Sequence, residues 1–125
     1  MTNDHYKILY FMKRRPGISV AAFQDYYENH HAPLCAKYAS GMKRYERRYL
    51  TAHPNPETGA TDELPFDVIT ELWFDDEAIF RSTVAYLSTS IMPDAIVEDE
   101  KQLFDRAKTR MATVIERVTA LPAKS

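Results

Sequence analysis

Hydrophobic positions along this chain keep two periods and switch between them in a fixed order. Residues 6–15, YKILYFMKRR, are apolar and aromatic and close on a basic cluster, the pattern of a strand buried on at least one face. PGIS then turns the chain, with Ser19 as N-cap. From Val20 the period lengthens, and Val20, Phe23, Tyr27, His31 and Leu34 fall on one helical stripe. Pro33 is expected to end or kink that helix, because the residue before a proline avoids the α region. A second short helical piece follows over 34–39 and stops at Gly41. Residues 42–53 alternate, with Tyr45, Arg47, Tyr49 and Thr51 on one face and Met42, Arg44, Glu46, Arg48 and Leu50 on the other. The proline-rich stretch 54–65 reads as a solvent loop. FDVITELWF (66–74) is a third strand, with Ile69, Glu71 and Trp73 facing one way and Val68, Thr70, Leu72 and Phe74 the other. A helix follows over 75–87, capped by Asp75 or Asp76, and STSIMP breaks it. Residues 94–110 read as a shorter polar helix or pair of turns, 111–121 as a fourth strand, and 122–125 as a loose tail.

The resulting order, β-α-β-β-α-β, is the ferredoxin-like arrangement of the α+β class: a four-stranded antiparallel sheet with both helices on one face. The other face keeps apolar and aromatic residues, so a second copy of the chain is the simplest cover. Two sheets face to face would form a dimeric α/β barrel.

Composition narrows the picture further. A chain of 125 residues predicts one domain, 1–125, with a core of its own. Sixteen basic and 18 acidic residues balance to a net charge of −2, which leaves no electrostatic footprint for nucleic acid or an anionic membrane. The single cysteine, Cys35, excludes an internal disulfide and fits a reducing compartment, and no Cys/His spacing suggests a metal site. The polar start MTNDHYK lacks a signal-peptide core, and no apolar run is long enough to span a bilayer, so a cytoplasmic protein is expected.

Three segments carry a resemblance: RRPGIS with AFQDYYENHHAPL behind it, DVITELWFDD in the middle, and EDEKQLFDRAKT near the end. In that order and spacing the chain resembles the EthD-like family of the dimeric α/β-barrel superfamily, over nearly its whole length outside 54–65. The resemblance implies a small homodimer that uses neither metal nor organic cofactor. It implies decarboxylation, dehydration or cyclisation of an aromatic or polyketide-like acid. Two other functions stay open: a cofactor-independent monooxygenase of phenols, and an accessory protein that binds a small molecule without turnover. The chain departs from the family in having Tyr26-Tyr27 where Tyr-Trp is common, and Leu103 where a phenylalanine often lies four residues after the aspartate. Both changes bear on pocket shape and hence on substrate.

The candidate chemistry centres on His31, which matches the family histidine and lies on the apolar stripe. An imidazole there can exchange protons at neutral pH, or it can simply be a buried ring that holds the bend. His30 is turned about 100° around the helix and is assigned to solvent. Asp99 and Glu100 match the family's acidic pair. A carboxylate there could orient His31, or the pair could be a solvated charge run. Tyr27 is one helical turn from His31 and could donate to a substrate carbonyl or serve as a core aromatic. Tyr45 and Tyr49 share a strand face with Arg47, which could hold a carboxylate if that face lines a pocket. Trp73 is a candidate pocket wall, with core or dimer packing as its other role. His53 is placed at a rim, and Cys35 is read as structural.

Overall fold

A computed structural model of the chain describes residues 5–123. Residues 1–4 of the polar start and 124–125 of the tail expected to be loose lie outside it.

Four strands, β1 (Tyr6–Met12), β2 (Arg44–Tyr49), β3 (Val68–Phe74) and β4 (Arg110–Thr113), form one antiparallel sheet in the order β2-β3-β1-β4. That order places the two long strands in the centre and makes the fold ferredoxin-like. The helical residues cover one face. The first helical unit is α1 (Val20–Tyr26), a π-turn (Tyr27–His31) and α2 (Ala32–Ala36). The second is α3 (Glu77–Thr89) and α4 (Asp94–Glu100), followed by a single 3-10 turn, Arg106–Lys108. Ser19 and Asp76 cap α1 and α3 by accepting hydrogen bonds from the Ala22 and Ile79 amides.

Cross-strand partners share a face. Ile8, Tyr10 and Met12 of β1 therefore join Val68, Thr70, Leu72 and Phe74 of β3 and Tyr45, Arg47 and Tyr49 of β2 beneath the helices. Two clusters form there. Met12, Phe23, Tyr27, Ala32, Val68, Leu103 and Phe104 pack at one end, and Ile8, Leu72 and Phe74 at the other, under Phe80, Val84 and Leu87 of α3. No residue of α3 is fully buried, because a cavity separates much of that helix from the sheet.

The fourth strand is shorter than the 111–121 expected from its pattern. The register pairs Thr113 with Ile8, so β1 runs out at Tyr6, opposite residue 115. Among the described residues no strand lies opposite 117–121, and Val118 is 96% exposed. The second strand is also shorter than its alternating run, ending where the exposed loop through residues 54–65 begins.

Gly41 marks the end of the first helical unit and sits at φ +79°. A Cβ there would lie 2.9 Å from Ile79 Cγ2 of α3. Gly41→Ala should therefore cost about 1–3 kcal/mol, from left-handed backbone strain alone, before α3 shifts. The expected readout is a lower urea midpoint with an unchanged slope, and an unaltered midpoint would refute the steric argument.

Candidate active site

Pro33 has no N–H and would press its ring on the carbonyl four residues earlier in a regular helix. The helix does not end there but continues through one π-turn. The Ala32 amide reaches back five residues to the Tyr27 carbonyl, and Pro33 falls in the first turn of α2, where it is tolerated. Tyr27 and His31 remain neighbours along the stripe, with ring centroids 5.2 Å apart and nearly perpendicular. His31 is 2% exposed and also packs edge-on against Phe104. His30 points outward and lies over Tyr26.

Each nitrogen of the His31 ring has a separate partner. Nδ1 is 2.8 Å from Asp99 Oδ2, and the Tyr26 hydroxyl donates to the other oxygen, Oδ1, at 2.5 Å. That hydrogen bond to the carboxylate holds the Tyr26 phenol up at about 12. An ionised Asp99 can only accept, so it fixes the proton of a neutral His31 on Nδ1 and leaves Nε2 as the acceptor. Nε2 lies 3.4 Å from Cys35 Sγ. Asp99 stands at the end of α4, whose chain is tied down just beyond by Leu103, Phe104 and the bridge from Phe104 to Arg14.

Beyond Cys35 opens a cavity of about 600 Å³, enough for a ligand of two or three fused rings. Tyr10, Tyr27, Tyr45, Thr70, Leu72 and Phe74 form its wall on the sheet side and around the π-turn, and α3 closes the opposite side. The Tyr27 hydroxyl is already engaged, 2.6 Å from Thr70 Oγ1 and 3.3 Å from the Tyr45 hydroxyl. Burial pushes the Tyr27 and Tyr45 phenols well above their ordinary value, so both stay protonated donors. Tyr10 is raised to about 12 by burial and by the charge of Glu100. Burial pushes the Cys35 thiol up to about 11. Glu100 lines the cavity and pairs with Arg106 at 3.1 Å, placing one charged pair in its wall.

The structure brings together His31, Asp99, Tyr27 and Tyr45 but not the other candidates. Arg47 and Tyr49 share the sheet face of Tyr45 yet stand outside the cavity. Both are held by Glu28, Arg47 through Nη2 at 2.7 Å and Nε at 2.9 Å, and Tyr49 through its hydroxyl. Those hydrogen bonds, Arg47's foremost, hold the Glu28 carboxyl below its usual range, so Arg47 is already occupied by an internal carboxylate. Trp73 lies on the opposite face of the sheet, because it pairs with Arg44 and Lys7, and it donates to Glu71 Oε1. Trp73 is therefore no wall of this cavity. His53 is exposed in the loop.

Cys35, read in the sequence as structural, lines the cavity, as do Tyr10, Thr70 and Arg106, which the sequence does not single out. Cys35 has a visible signal, since it follows His31 by four residues. Thr70 also has one, as a polar residue on the inward face of β3. Tyr10 and Arg106 have none. Among the described residues no group of three or more His, Cys, Asp or Glu side chains is placed to hold a metal ion, and no helix is long and apolar enough to cross a membrane.

Comparison with known proteins adds three findings. A family model described as the EthD domain matches residues 15–107. No curated protein matches the chain. Solved structures match the fold at low identity. An ethyl tert-butyl ether D (EthD) family protein from Bacillus halodurans superposes with a TM-score of 0.55 at 19% identity, over 90% of this chain and 99% of its own. An EthD-like protein from Ralstonia eutropha gives 0.54 at 15% identity, over 95% and 96%. A dimeric protein of unknown function and ferredoxin-like fold from Bacteroides fragilis gives 0.50 at 16% identity, over 91% and 96%.

Proposed function

The chain belongs to the EthD domain family, and from that premise we propose that it is a cofactor-free lyase or cyclase that acts on an aromatic or polyketide-like small molecule by acid–base catalysis at His31. The observation that carries this reading is the division of labour on the imidazole. Nδ1 is held by Asp99, and Nε2 faces the cavity wall at Cys35. A base needs one nitrogen anchored and the other turned toward the proton it takes; Asp99 anchors Nδ1, and Nε2 is turned to the Cys35 thiol at the cavity wall, which a substrate must displace. In a cyclisation or dehydration, Nε2 takes a proton from the carbon beside a carbonyl, Asp99 stabilises the imidazolium that forms, and the imidazolium then gives that proton to the departing hydroxyl, which leaves as water. In a decarboxylation, Nε2 first takes the carboxylic acid proton, carbon dioxide departs and leaves its bonding pair on the ring carbon, and the imidazolium returns the proton to that carbon. Tyr45 and Tyr10, both protonated, are the donors for a carbonyl or phenolate oxygen on the substrate. Tyr27 acts one step back, positioning Tyr45 through their shared hydrogen bond.

The test is turnover of a panel of aromatic and polyketide-like acids, followed by chromatography and mass spectrometry. His31→Ala should lower the rate by about 10²–10⁴-fold. Unchanged turnover in a folded His31→Ala variant would remove His31 from the mechanism. Oxygen uptake in step with product would overturn the lyase reading in favour of an oxygenase, and tight binding without product would make the chain a binding protein.

The same proposal includes a homodimer. Leu9, Phe11, Ile69 and Trp73 lie on the sheet face away from the helices and are only partly buried there. The neighbour from Bacteroides fragilis is dimeric. A second copy laid on this face would cover those side chains. Sedimentation should give twice the chain mass, and Trp73→Glu should shift it toward one chain. A wild-type monomer at micromolar concentration would sink the idea.

A further inference from the structure

Cys35, His31 and Asp99 stand in line, with Sγ 3.4 Å from Nε2 and Nδ1 2.8 Å from the carboxylate. This is the relation of nucleophile, base and orienting acid. From it we infer that Cys35 is a covalent capture site for a planar α,β-unsaturated carbonyl compound of the quinone or enone class. The inference rests on reading the cavity as a site for aromatic small molecules, and it assigns the sulfur a role that proton transfer alone does not need.

Three features choose that class of ligand. Sulfur is soft and adds to conjugated carbons in preference to hard centres. The wall facing it is built from the rings of Tyr10, Tyr27, Tyr45 and Phe74, which suits a flat conjugated system. A 1,4-addition also moves charge onto a carbonyl oxygen, and the Tyr10 hydroxyl, which has no hydrogen-bond partner among the described residues, lines the same space. At neutral pH the thiol keeps its proton, because burial and the nearby carboxylates of Glu100 and Asp99 disfavour the thiolate. Attack therefore requires a base at the moment of reaction.

The step balances without an outside reagent. The thiol proton passes to His31 Nε2 as sulfur bonds to the β carbon. The alkene pair moves onto the carbonyl oxygen as an enolate, and the imidazolium returns the proton to it. A quinone captured in this way becomes the thioether of its hydroquinone after the ring hydrogen shifts to oxygen, with every atom of both reactants retained.

The experiment incubates the intact protein with 1,4-naphthoquinone and follows it by intact-mass spectrometry and peptide mapping. The expected result is one adduct of the quinone's full mass on Cys35, absent in Cys35→Ser. In His31→Gln and Asp99→Asn the adduct should form at least about tenfold more slowly. An aromatic acid that fills the cavity but carries no enone or quinone should compete. The inference is overturned if the folded protein gives no Cys35 adduct while the urea-unfolded chain does. It is also overturned if both folded variants react as fast as wild type, which would mark ordinary thiol reactivity. No adduct together with His31-dependent turnover would remove the capture site and leave the acid–base reading standing. A His31-dependent adduct with no turnover of any acid would do the reverse.

Discussion

Asp99→Asn should leave the chain folded and lower its turnover by about 10²–10⁴-fold, equivalent to about 2.7–5.5 kcal/mol of transition-state stabilisation. Asp99 receives two donors on two oxygens: the His31 ring through Nδ1 at 2.8 Å and the Tyr26 hydroxyl at 2.5 Å. An asparagine has one oxygen and one NH₂, so it cannot accept both. If its oxygen keeps the Tyr26 hydroxyl, its NH₂ faces the ring and forces the proton of His31 onto Nε2, where a base can no longer receive one. If Tyr26 turns to accept instead, the tautomer survives, but the negative charge that stabilises the imidazolium is gone. Either outcome weakens the base. The side chain is the same size and Asp99 is partly exposed, so circular dichroism and the urea midpoint should change little. The check is kcat beside both controls, and a loss of less than threefold would show that His31 does not depend on Asp99. Tyr26→Phe separates the two donors. It removes only the outer hydrogen bond and should cost far less than Asp99→Asn.

The order of elements is legible in the sequence because each element carries its own period and its own punctuation. Ser19 and Asp76 cap the helices that their positions announce. What a single strand does not disclose is its partner. Trp73 and the Tyr45–Arg47–Tyr49 face are both readable as alternating sets, but whether they share one side of the sheet depends on a register of one residue. The actual register pairs Tyr45 with Leu72 and Arg44 with Trp73, which sends Trp73 to the far face. The end of the fourth strand is hidden for a related reason, since residues 116–121 have a strand composition while their partner strand has already ended. Within the site, His31 is legible from the helical stripe and the family motif, and Asp99 from the motif alone, because 68 residues separate it from His31. The π-turn escapes detection because it preserves the spacing of Tyr27 and His31 while changing the hydrogen-bond ladder beneath them. Arg47 has the chemistry expected of a carboxylate receptor, but its carboxylate is Glu28, on the helix packed above it.

Phe23→Ala should be the most destabilising of the single substitutions considered, at about 3–5 kcal/mol. Phe23 is 1% exposed and packs edge-on against three rings, those of Tyr27, Tyr49 and Phe104, with centroids 6.3, 6.3 and 5.8 Å away. Its removal loses the transfer energy of a phenyl ring and leaves a void between an α-helix and a sheet that are both pinned by hydrogen bonds and cannot close over it. A domain of this size holds about 5–15 kcal/mol in total, so the loss is a large fraction of the whole. Phe23→Leu keeps much of the volume and should cost less than half as much. The comparison of urea midpoints for the two variants tests the packing argument, and equal midpoints would mean that the site relaxes freely around either residue. The consequence reaches the cavity. Phe104, one of the three rings against Phe23, is also a wall of His31, and the Tyr27 ring is another. At a temperature where Phe23→Leu remains folded, its turnover should fall more than its stability implies, because the imidazole between Asp99 and Cys35 is held in place by the rings that Phe23 supports.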